Sequence, residues 1–285
     1  MSAPLTIVVL TCNRAAELRR TLRHTMALTT PPPVVVVDNG AGSDGTRAML
    51  AAQFPSVRLI AMPSNIGAAG RNAGALAADT PYVAFCDDDT WWAEGSLEAA
   101  VAMLDFHPAL AVVCARVVVG EHGAEDPTCA LMAASPLPRE DLPGPALLGF
   151  LAGAAVVRRS AFLAAGGYEP RFLIGGEESL LSLDLLARGW RISYAPQLTV
   201  HHHPSPQRDS AGRRRLIRRN ALWLAWLRLP AGMMLADTLR AGAAALRNRE
   251  AALALLDALR GLPWALARRR VIPAQLAHWA RQLRG

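Results

Sequence analysis

The chain has 285 residues, 52% of them hydrophobic, with a formal net charge of +7 and four cysteines, a length that holds one large α/β domain with an appendage. Cys12, Cys86, Cys114 and Cys129 form no C-x-x-C pair and have no histidine at zinc spacing, which argues against a disulfide scaffold or zinc module and fits a reducing cytoplasm. Met1-Ser2-Ala3-Pro4 leads into an apolar run with no basic segment, so no secretory signal is readable. Nor does any apolar stretch, including Ala146 to Val157, reach the ~18 residues of a bilayer span.

Leu5 to Leu10 reads as a buried strand, Ala15 to Met26 as a helix with Leu18 and Leu22 on one face, and Val34 to Val37 as a second strand. A short helix over Gly45 to Gln53 leads to a third strand at Val57 to Ala61. There follow a helix over Ala68 to Ala77, a strand at Tyr82 to Cys86, a helix over Ser96 to His107 and a strand at Ala111 to Val119. This strand/helix alternation predicts a parallel, doubly wound sheet. Gly120 to Pro145, rich in proline and mixed charge, reads as an irregular loop or lid. Apolar residues resume at Leu147, a helix is expected over Ser179 to Arg188, and Trp190 to Tyr194 and Leu198 to Val200 read as returning strands. Residues 1–212 carry 15 Arg against 20 Asp and Glu, a net −5, whereas residues 213–285 carry 15 Arg against 3 acids, a net +12. That asymmetry places a boundary near Arg213, between a domain over 1–212 and a basic, amphipathic helical tail over 213–285.

Polar residues gather at the carboxyl ends of the expected strands, the edge over which α/β sheets bind ligands. Asp87, Asp88 and Asp89 follow the Tyr82 to Cys86 run. Like charges packed so closely call for a shared cation, and hard oxygen ligands suit Mg²⁺ or Mn²⁺; the alternative is a solvated turn. Thr11-Cys12-Asn13-Arg14 follows the first strand and offers a hydroxyl and an amide to a base or ribose, or a helix cap. Asp38-Asn39-Gly40 follows the second. Asn65-Ile66-Gly67-Ala68-Ala69-Gly70-Arg71-Asn72 follows the third, where glycines let backbone approach a ligand and a helix start favours phosphate. His201-His202-His203 follows the last strand, and imidazole suits Mn²⁺ beside carboxylates.

In this order, and with Gly153 ahead of Val157-Arg158-Arg159, Gly166-Gly167-Tyr168 and Gly175-Gly176-Glu177-Glu178, the chain resembles the inverting GT-A glycosyltransferases of family two over about residues 4–228. These include rhamnosyl- and galactofuranosyltransferase-like enzymes. The resemblance implies an α/β GT-A fold, a doubly wound mixed sheet with a C-terminal helical extension. It implies metal-dependent transfer of a sugar from a nucleotide-diphosphate donor to a hydroxyl acceptor on a glycan, a lipid-linked carrier or a secondary metabolite. By that resemblance Asp38 reads the nucleobase, Thr11, Asn13 and Arg14 line its pocket, and Asn65, Gly67 and Arg71 lie near the ribose or diphosphate. Asp87 and Asp89 match the ends of the D-x-D element, with Asp88 between them in the donor-nucleotide set. Asp87 is expected on ribose or metal, Asp89 on metal, and His202 in the metal shell. Gly153 and Trp92 are expected beside donor sugar and acceptor. Gly176-Glu177-Glu178 stands where the family carries Gly-Glu-Asp and its general base. Glu178 takes that role, with Glu177 left open; otherwise both acids simply favour a helix N-terminus, by about 0.3–1 kcal/mol each.

The tail sets Trp223, Trp226 and Leu227 among Arg213-Arg214-Arg215, Arg218-Arg219 and Arg228, Trp264 near Arg268-Arg269-Arg270, and Trp279 near Arg281. Basic helices with interfacial tryptophans suit the anionic inner face of the cell membrane and a lipid-linked acceptor. The other reading is a helical subdomain packed on the first domain or on a second subunit in a homodimer. No nucleic-acid-binding module is recognisable. A haloacid-dehalogenase-type phosphatase would carry its acid-x-acid element after the first strand, and a sugar nucleotidyltransferase would want a lysine, which the chain lacks. A catalytically inactive nucleotide-sugar-binding relative remains the alternative function.

Overall fold

The computed structural model describes residues 4–40, 44–139, 141–204 and 210–283. Met1, Ser2 and Ala3, read above for a secretory signal, lie outside the described residues. The first half alternates β1 (Leu5–Thr11), α1 (Ala15–Met26), β2 (Val34–Asp38), α2 (Thr46–Gln53), β3 (Arg58–Ala61), α3 (Gly70–Ala77) and β4 (Tyr82–Asp87). It continues through β5 (Thr90–Trp92), α4 (Ser96–Phe106), β6 (Leu110–Val119), β7 (Ala124–Glu125), α5 (Pro127–Ala133), β8 (Ala155–Arg158), α6 (Arg159–Ala165), α7 (Glu177–Leu186) and β9 (Arg191–His202). The tail supplies α8 (Ser210–Arg228), α9 (Ala231–Ala245), α10 (Arg249–Arg260), α11 (Leu262–Ala267) and α12 (Ala274–Gln282).

Among the described residues nine strands form one sheet in the order β3-β2-β1-β4-β8-β6-β9-β5, with β7 on β6. β1 lies parallel to both β2 and β4, so the chain order reverses there and leaves a crevice at the carboxyl edge. The sheet is mixed rather than all-parallel: β8 runs antiparallel between β4 and β6, and β5 antiparallel on β9. Alternation of pattern reports that strands and helices take turns, but it carries no direction for a four-residue strand inside an apolar run. The β-branched and apolar residues of β1, β2 and β4 are almost wholly buried, as expected for strands covered on both faces. α3 reaches the sheet closely because Gly74 faces Val8, whose Cγ1 would stand 2.3 Å from any added Cβ.

Three segments depart from expectation. Gly120 to Pro145 contains β7 and the short helix α5, capped by the Asp126 side chain on the Thr128 N–H, with Cys129 and Met132 buried. The two returning strands are one, β9; its pairing with β6 jumps from Ala195 opposite Ala115 to Thr199 opposite Arg116, so a bulge carrying Pro196 interrupts the apolar pattern without ending the strand. α7 begins at Glu177 rather than Ser179, which brings both glutamates into its first turn.

Two of the four tail tryptophans, Trp223 and Trp226, are core residues, while Trp264 and Trp279 are half-buried. Trp223 and Trp226 are 6% and 3% exposed, and their indole N–H groups donate to the Ala258 carbonyl (3.0 Å) and Thr238 Oγ1 (2.9 Å). They form a second core with Phe172 and Leu180, and Leu183 joins a third with Ala225, Leu229 and Ile272. α8 is thus packed on α7. Arg228 Nε and Nη2 donate to the two oxygens of Asp184 at 2.5 and 2.9 Å across this contact. Removing one partner of this partly buried bidentate pair leaves Arg228 without its counter-charge. Asp184→Ala is expected to destabilise the fold by about 1–3 kcal/mol, read as a lower denaturant midpoint in tryptophan fluorescence.

Candidate active site

A cleft of about 640 Å³ opens at the carboxyl ends of β1, β2 and β4. Its far side is made by residues 151–154, by the loop before α7, by the end of β9 and by Arg213 of α8. A larger groove of about 1030 Å³ lies among α8, α9 and α10, but it is lined by apolar and arginine residues with Asp237 as its acid. The convergence of titratable groups is in the smaller cleft.

Two arginines organise that cleft. Arg71, 5% exposed at the start of α3, is ion-paired with Asp87 at the end of β4. Arg14 forks across the next two acids, with Nη1 2.6 Å from Asp88 Oδ1 and Nη2 2.8 Å from Asp89 Oδ2. Thr11 Oγ1 donates to Asp88 Oδ2 at 2.9 Å, and Thr21 Oγ1 donates to the Asp88 carbonyl at 2.7 Å. Burial pushes the Asp88 carboxyl up to about 7 against the pull of Arg14, with the neighbouring Asp89 adding to the rise. Asp87 is fixed from behind as well: its N–H donates to Thr90 Oγ1 at 2.8 Å, and a Cβ at Gly153 would stand 2.7 Å from its Oδ2.

Strand alternation sorts the three histidines. His201 and His203 stack on Trp91, with ring centroids 5.8 and 5.0 Å away, while His202 faces the cleft with Nε2 3.6 Å from Asp89 Oδ1. Two ligands at about 2.1 Å from one octahedral ion stand about 3 Å apart, so this carboxylate and imidazole are close to the spacing a shared cation needs. The donor set suits Mn²⁺ or Mg²⁺. Asp87 faces Arg71 instead, and among the described residues no group of three or more His, Cys, Asp or Glu gathers at ligand spacing. Asp89 and His202 are the two side chains that could hold such an ion between them.

Opposite the aspartates, Gly175 and Gly176 adopt φ of 86° and 90° and turn the chain into α7, whose first turn presents Glu177 and Glu178. Glu177 is 4% exposed, and its Oε2 has no hydrogen-bond partner. Burial raises both carboxyls; Glu178 reaches about 7, with the charge of Glu177 adding to the rise and Arg71 opposing it. A carboxylate at that value exchanges protons near neutral pH.

Thr11, Arg14, Asn65, Gly67, Arg71, Asp87, Asp88, Asp89, Gly153, Glu177, Glu178 and His202 all line the cleft. Asn13 and Asp38 lie beside it, not in its wall. Asp38 is 2% exposed, pairs in register with Thr11, and accepts the Gly40 N–H at 2.8 Å, while the exposed Asn13 side chain rests against Gly40. Trp92 is corrected: it is 2% exposed in the main core, where no sugar reaches it. Asn39, which lies in the Asp38-Asn39-Gly40 motif without an assigned role, and Arg213, which lies in no site motif, also line the cleft. Asn39 Nδ2 holds the Gly67 carbonyl at 2.8 Å. Its place directly after a strand-end acid is a usable signal, whereas Arg213 is one of fifteen tail arginines with nothing to single it out.

Residues 6–164, over half of the chain, match the family described as glycosyl transferase family 2. The chain belongs to that family. Over 218 residues it is 29% identical to a pre-mycofactocin glycosyltransferase of Mycobacterium tuberculosis, covering 74% of this chain and 45% of that protein, so it spans less than half of that relative's length. An N-acetylglucosaminyl-diphospho-decaprenol L-rhamnosyltransferase of the same organism is 27% identical over 247 residues, covering 74% of this chain and 80% of the relative. Among solved structures, a mannosyltransferase from Pyrobaculum calidifontis in complex with GDP-Man and Mn²⁺ superposes with a TM-score of 0.62 at 21% identity, covering 100% of this chain and 76% of that one. S. aureus TarS 1-349 with UDP-GlcNAc gives 0.64 at 16% identity, over 99% and 88%. The fold of this family 2 chain is GT-A, with a helical C-terminal region.

Gly153→Ala must displace the Asp87 carboxylate or its own backbone, a cost of about 1–3 kcal/mol for overpacking. In differential scanning calorimetry Gly153→Ala is expected to lower the melting temperature, whereas Gly149→Ala, with no atom within 4 Å of the added carbon, is expected to leave it unchanged.

Proposed function

We propose that the protein transfers a sugar from a nucleoside-diphosphate donor to a hydroxyl acceptor, with inversion at the anomeric carbon and Glu178 as general base. The observation that carries this reading is the pairing, within one cleft, of a glutamate raised to about 7 with an aspartate, histidine and arginine wall fit for a diphosphate and a divalent ion. Glu178 removes the acceptor proton as the acceptor oxygen attacks the anomeric carbon; the bond to the diphosphate breaks on the opposite face, which inverts the centre. Arg14 and Arg71 meet the charge that gathers on the departing nucleoside diphosphate. A Mn²⁺ or Mg²⁺ ion held by Asp89 and His202 would neutralise the same charge. Thr11, Asn39, Asn65 and Gly67 hold the nucleotide, with Asn13 and Asp38 at the base end. Glu177, the less solvent-exposed of the two, shapes the titration of its neighbour through its charge.

The donors named with the superposed structures support a nucleotide sugar. The rhamnosyltransferase relative supports a lipid-linked acceptor. No helix among the described residues is long and apolar enough to cross a membrane. Attachment from the cytoplasmic side would instead use α9, which buries none of its residues and exposes Leu235 (56%) and Leu239 (65%) next to Arg240. Flotation with anionic vesicles is expected to carry the wild type and to lose Leu235→Glu/Leu239→Glu. A concentration-dependent dimer broken by the same pair, without flotation, would assign this face to a second copy instead.

Glu178→Gln is expected to lower kcat by about 10²–10⁴ while nucleoside-diphosphate binding, followed by calorimetry, stays near wild type. An inactive nucleotide-sugar-binding relative would show no turnover in either protein. Because the base acts only when deprotonated, kcat/KM should climb as pH rises towards the raised Glu178 value of about 7 and level off above it. Glu177 titrates with it, so the apparent values belong to the pair. A profile already flat from pH 5 upward would contradict the assignment.

A further inference from the structure

We propose that Asn220, on α8 of the basic tail, is a positioning residue for the general base: it holds the backbone of the loop that delivers Glu177 and Glu178 to the cleft. The proposal rests on the base assignment above. Asn220 is fully buried. Its Nδ2, which carries two N–H bonds, lies within hydrogen-bond distance of three carbonyls of one loop, those of Phe172 (2.8 Å), Ile174 (3.0 Å) and Gly175 (2.6 Å), so that one N–H is shared between two of them. Its Oδ1 accepts from Arg219 Nε at 3.0 Å, which fixes which end of the amide faces the loop. Arg219 Nη2 in turn donates to the Arg171 and Phe172 carbonyls at 2.9 and 3.1 Å.

The loop needs such a holder. Leu173, Gly175 and Gly176 all have positive φ, at 61°, 86° and 90°, so successive carbonyls are turned out of any regular ladder. A buried carbonyl left unpaired is costly. A left-handed leucine persists only where its surroundings impose it. An amide donor from α8 satisfies the carbonyls and stiffens the turn one residue before α7 starts. Packing would not require a polar residue there, because the α8 contact with α7 and α10 is already made by Leu222, Trp223 and Trp226.

The same loop also meets the donor side of the cleft. The Leu173 carbonyl accepts the Ala68 N–H at 2.9 Å, and a Cβ at Gly67 would fall 1.7 Å from that oxygen. Asn220 therefore fixes a segment that touches the turn next to Arg71 on one side and carries the glutamates on the other. Ile217 and Arg213 lie on the same face of α8; Ile217 packs against Gly175, and Arg213 lines the cleft.

Asn220→Ala and the isosteric Asn220→Asp both remove the amide donor. Loss of near-attack geometry by a displacement on the order of 1 Å costs about 10²-fold, so kcat is expected to fall 10- to 100-fold in each. The donor KM and the affinity for the nucleoside diphosphate should stay within twofold, and the acid limb of the kcat/KM profile should move. Wild-type kcat and pH profile in both variants would overturn the proposal. So would a parallel loss of kcat and donor affinity, the mark of a general packing defect. If neither variant folds, Arg219→Ala loosens the clamp from outside; the same measurements apply to it, and the same results support or overturn the positioning role. Glu178→Gln, run alongside, separates the two claims: full turnover there refutes the base assignment, whereas its loss beside a normal Asn220→Asp refutes only the positioning role.

Discussion

Of the six carboxylates that line the cleft, five come from two distant stretches of chain and crowd together, and Arg14 and Arg71 make that tolerable. Asp87 ends β4 and Asp88 and Asp89 form the turn after it; Glu177 and Glu178 begin α7. Burying such a set without counter-charge would raise every member and favour their separation. Arg71, buried between the groups, pairs with Asp87 while its charge also acts on both glutamates, and Arg14 spans Asp88 and Asp89. The neutralisation is incomplete by construction. Glu178 and Asp88 remain lifted to about 7, so the cleft keeps groups that change charge near neutrality and an acidic edge that a divalent ion can compensate.

The sheet explains why these groups meet. Reversal of chain order at β1 leaves the carboxyl ends of β1, β2 and β4 open over one crevice, and those ends carry the polar residues Thr11, Asp38 and Asp87. The close approach of α3, permitted by Gly74, brings Arg71 down onto Asp87. Gly153 leaves room for the Asp87 carboxylate. The tail completes the arrangement from behind: Trp223, Trp226 and Arg228 anchor α8 to Phe172, Leu180 and Asp184, and that anchorage gives the loop before α7 a rigid wall.

Much of this was legible because buried parallel strands are continuous apolar runs and the residues that interrupt them mark the ligand edge. The Asp87–Asp89 cluster announces itself by ending an apolar run, whereas the Asn65 to Arg71 turn and the Gly176-Glu177-Glu178 element have the pattern of an ordinary turn and helix start, and the resemblance to family two is what singles them out. Features that depend on distant contacts did not. The antiparallel direction of β8, the continuity of β9 through Pro196 and the burial of Trp92 are decided by neighbours, not by local pattern. Trp223 and Trp226 look interfacial beside so many arginines, yet the apolar face they belong to is satisfied by α7 and α10. Asn220 carries no local signal, because an asparagine inside a helix reads as an ordinary solvated residue until three carbonyls of another segment are found around its amide.

The most direct test of the account is calorimetric titration of the wild-type protein with UDP and GDP, in Mn²⁺ and then after EDTA treatment, repeated with Asp89→Asn. The account predicts that at least one nucleoside diphosphate binds in Mn²⁺, that affinity falls at least tenfold in EDTA, and that Asp89→Asn loses most of the metal-dependent gain. Equal affinity with and without the ion, or an Asp89→Asn protein that keeps the full gain, would contradict it.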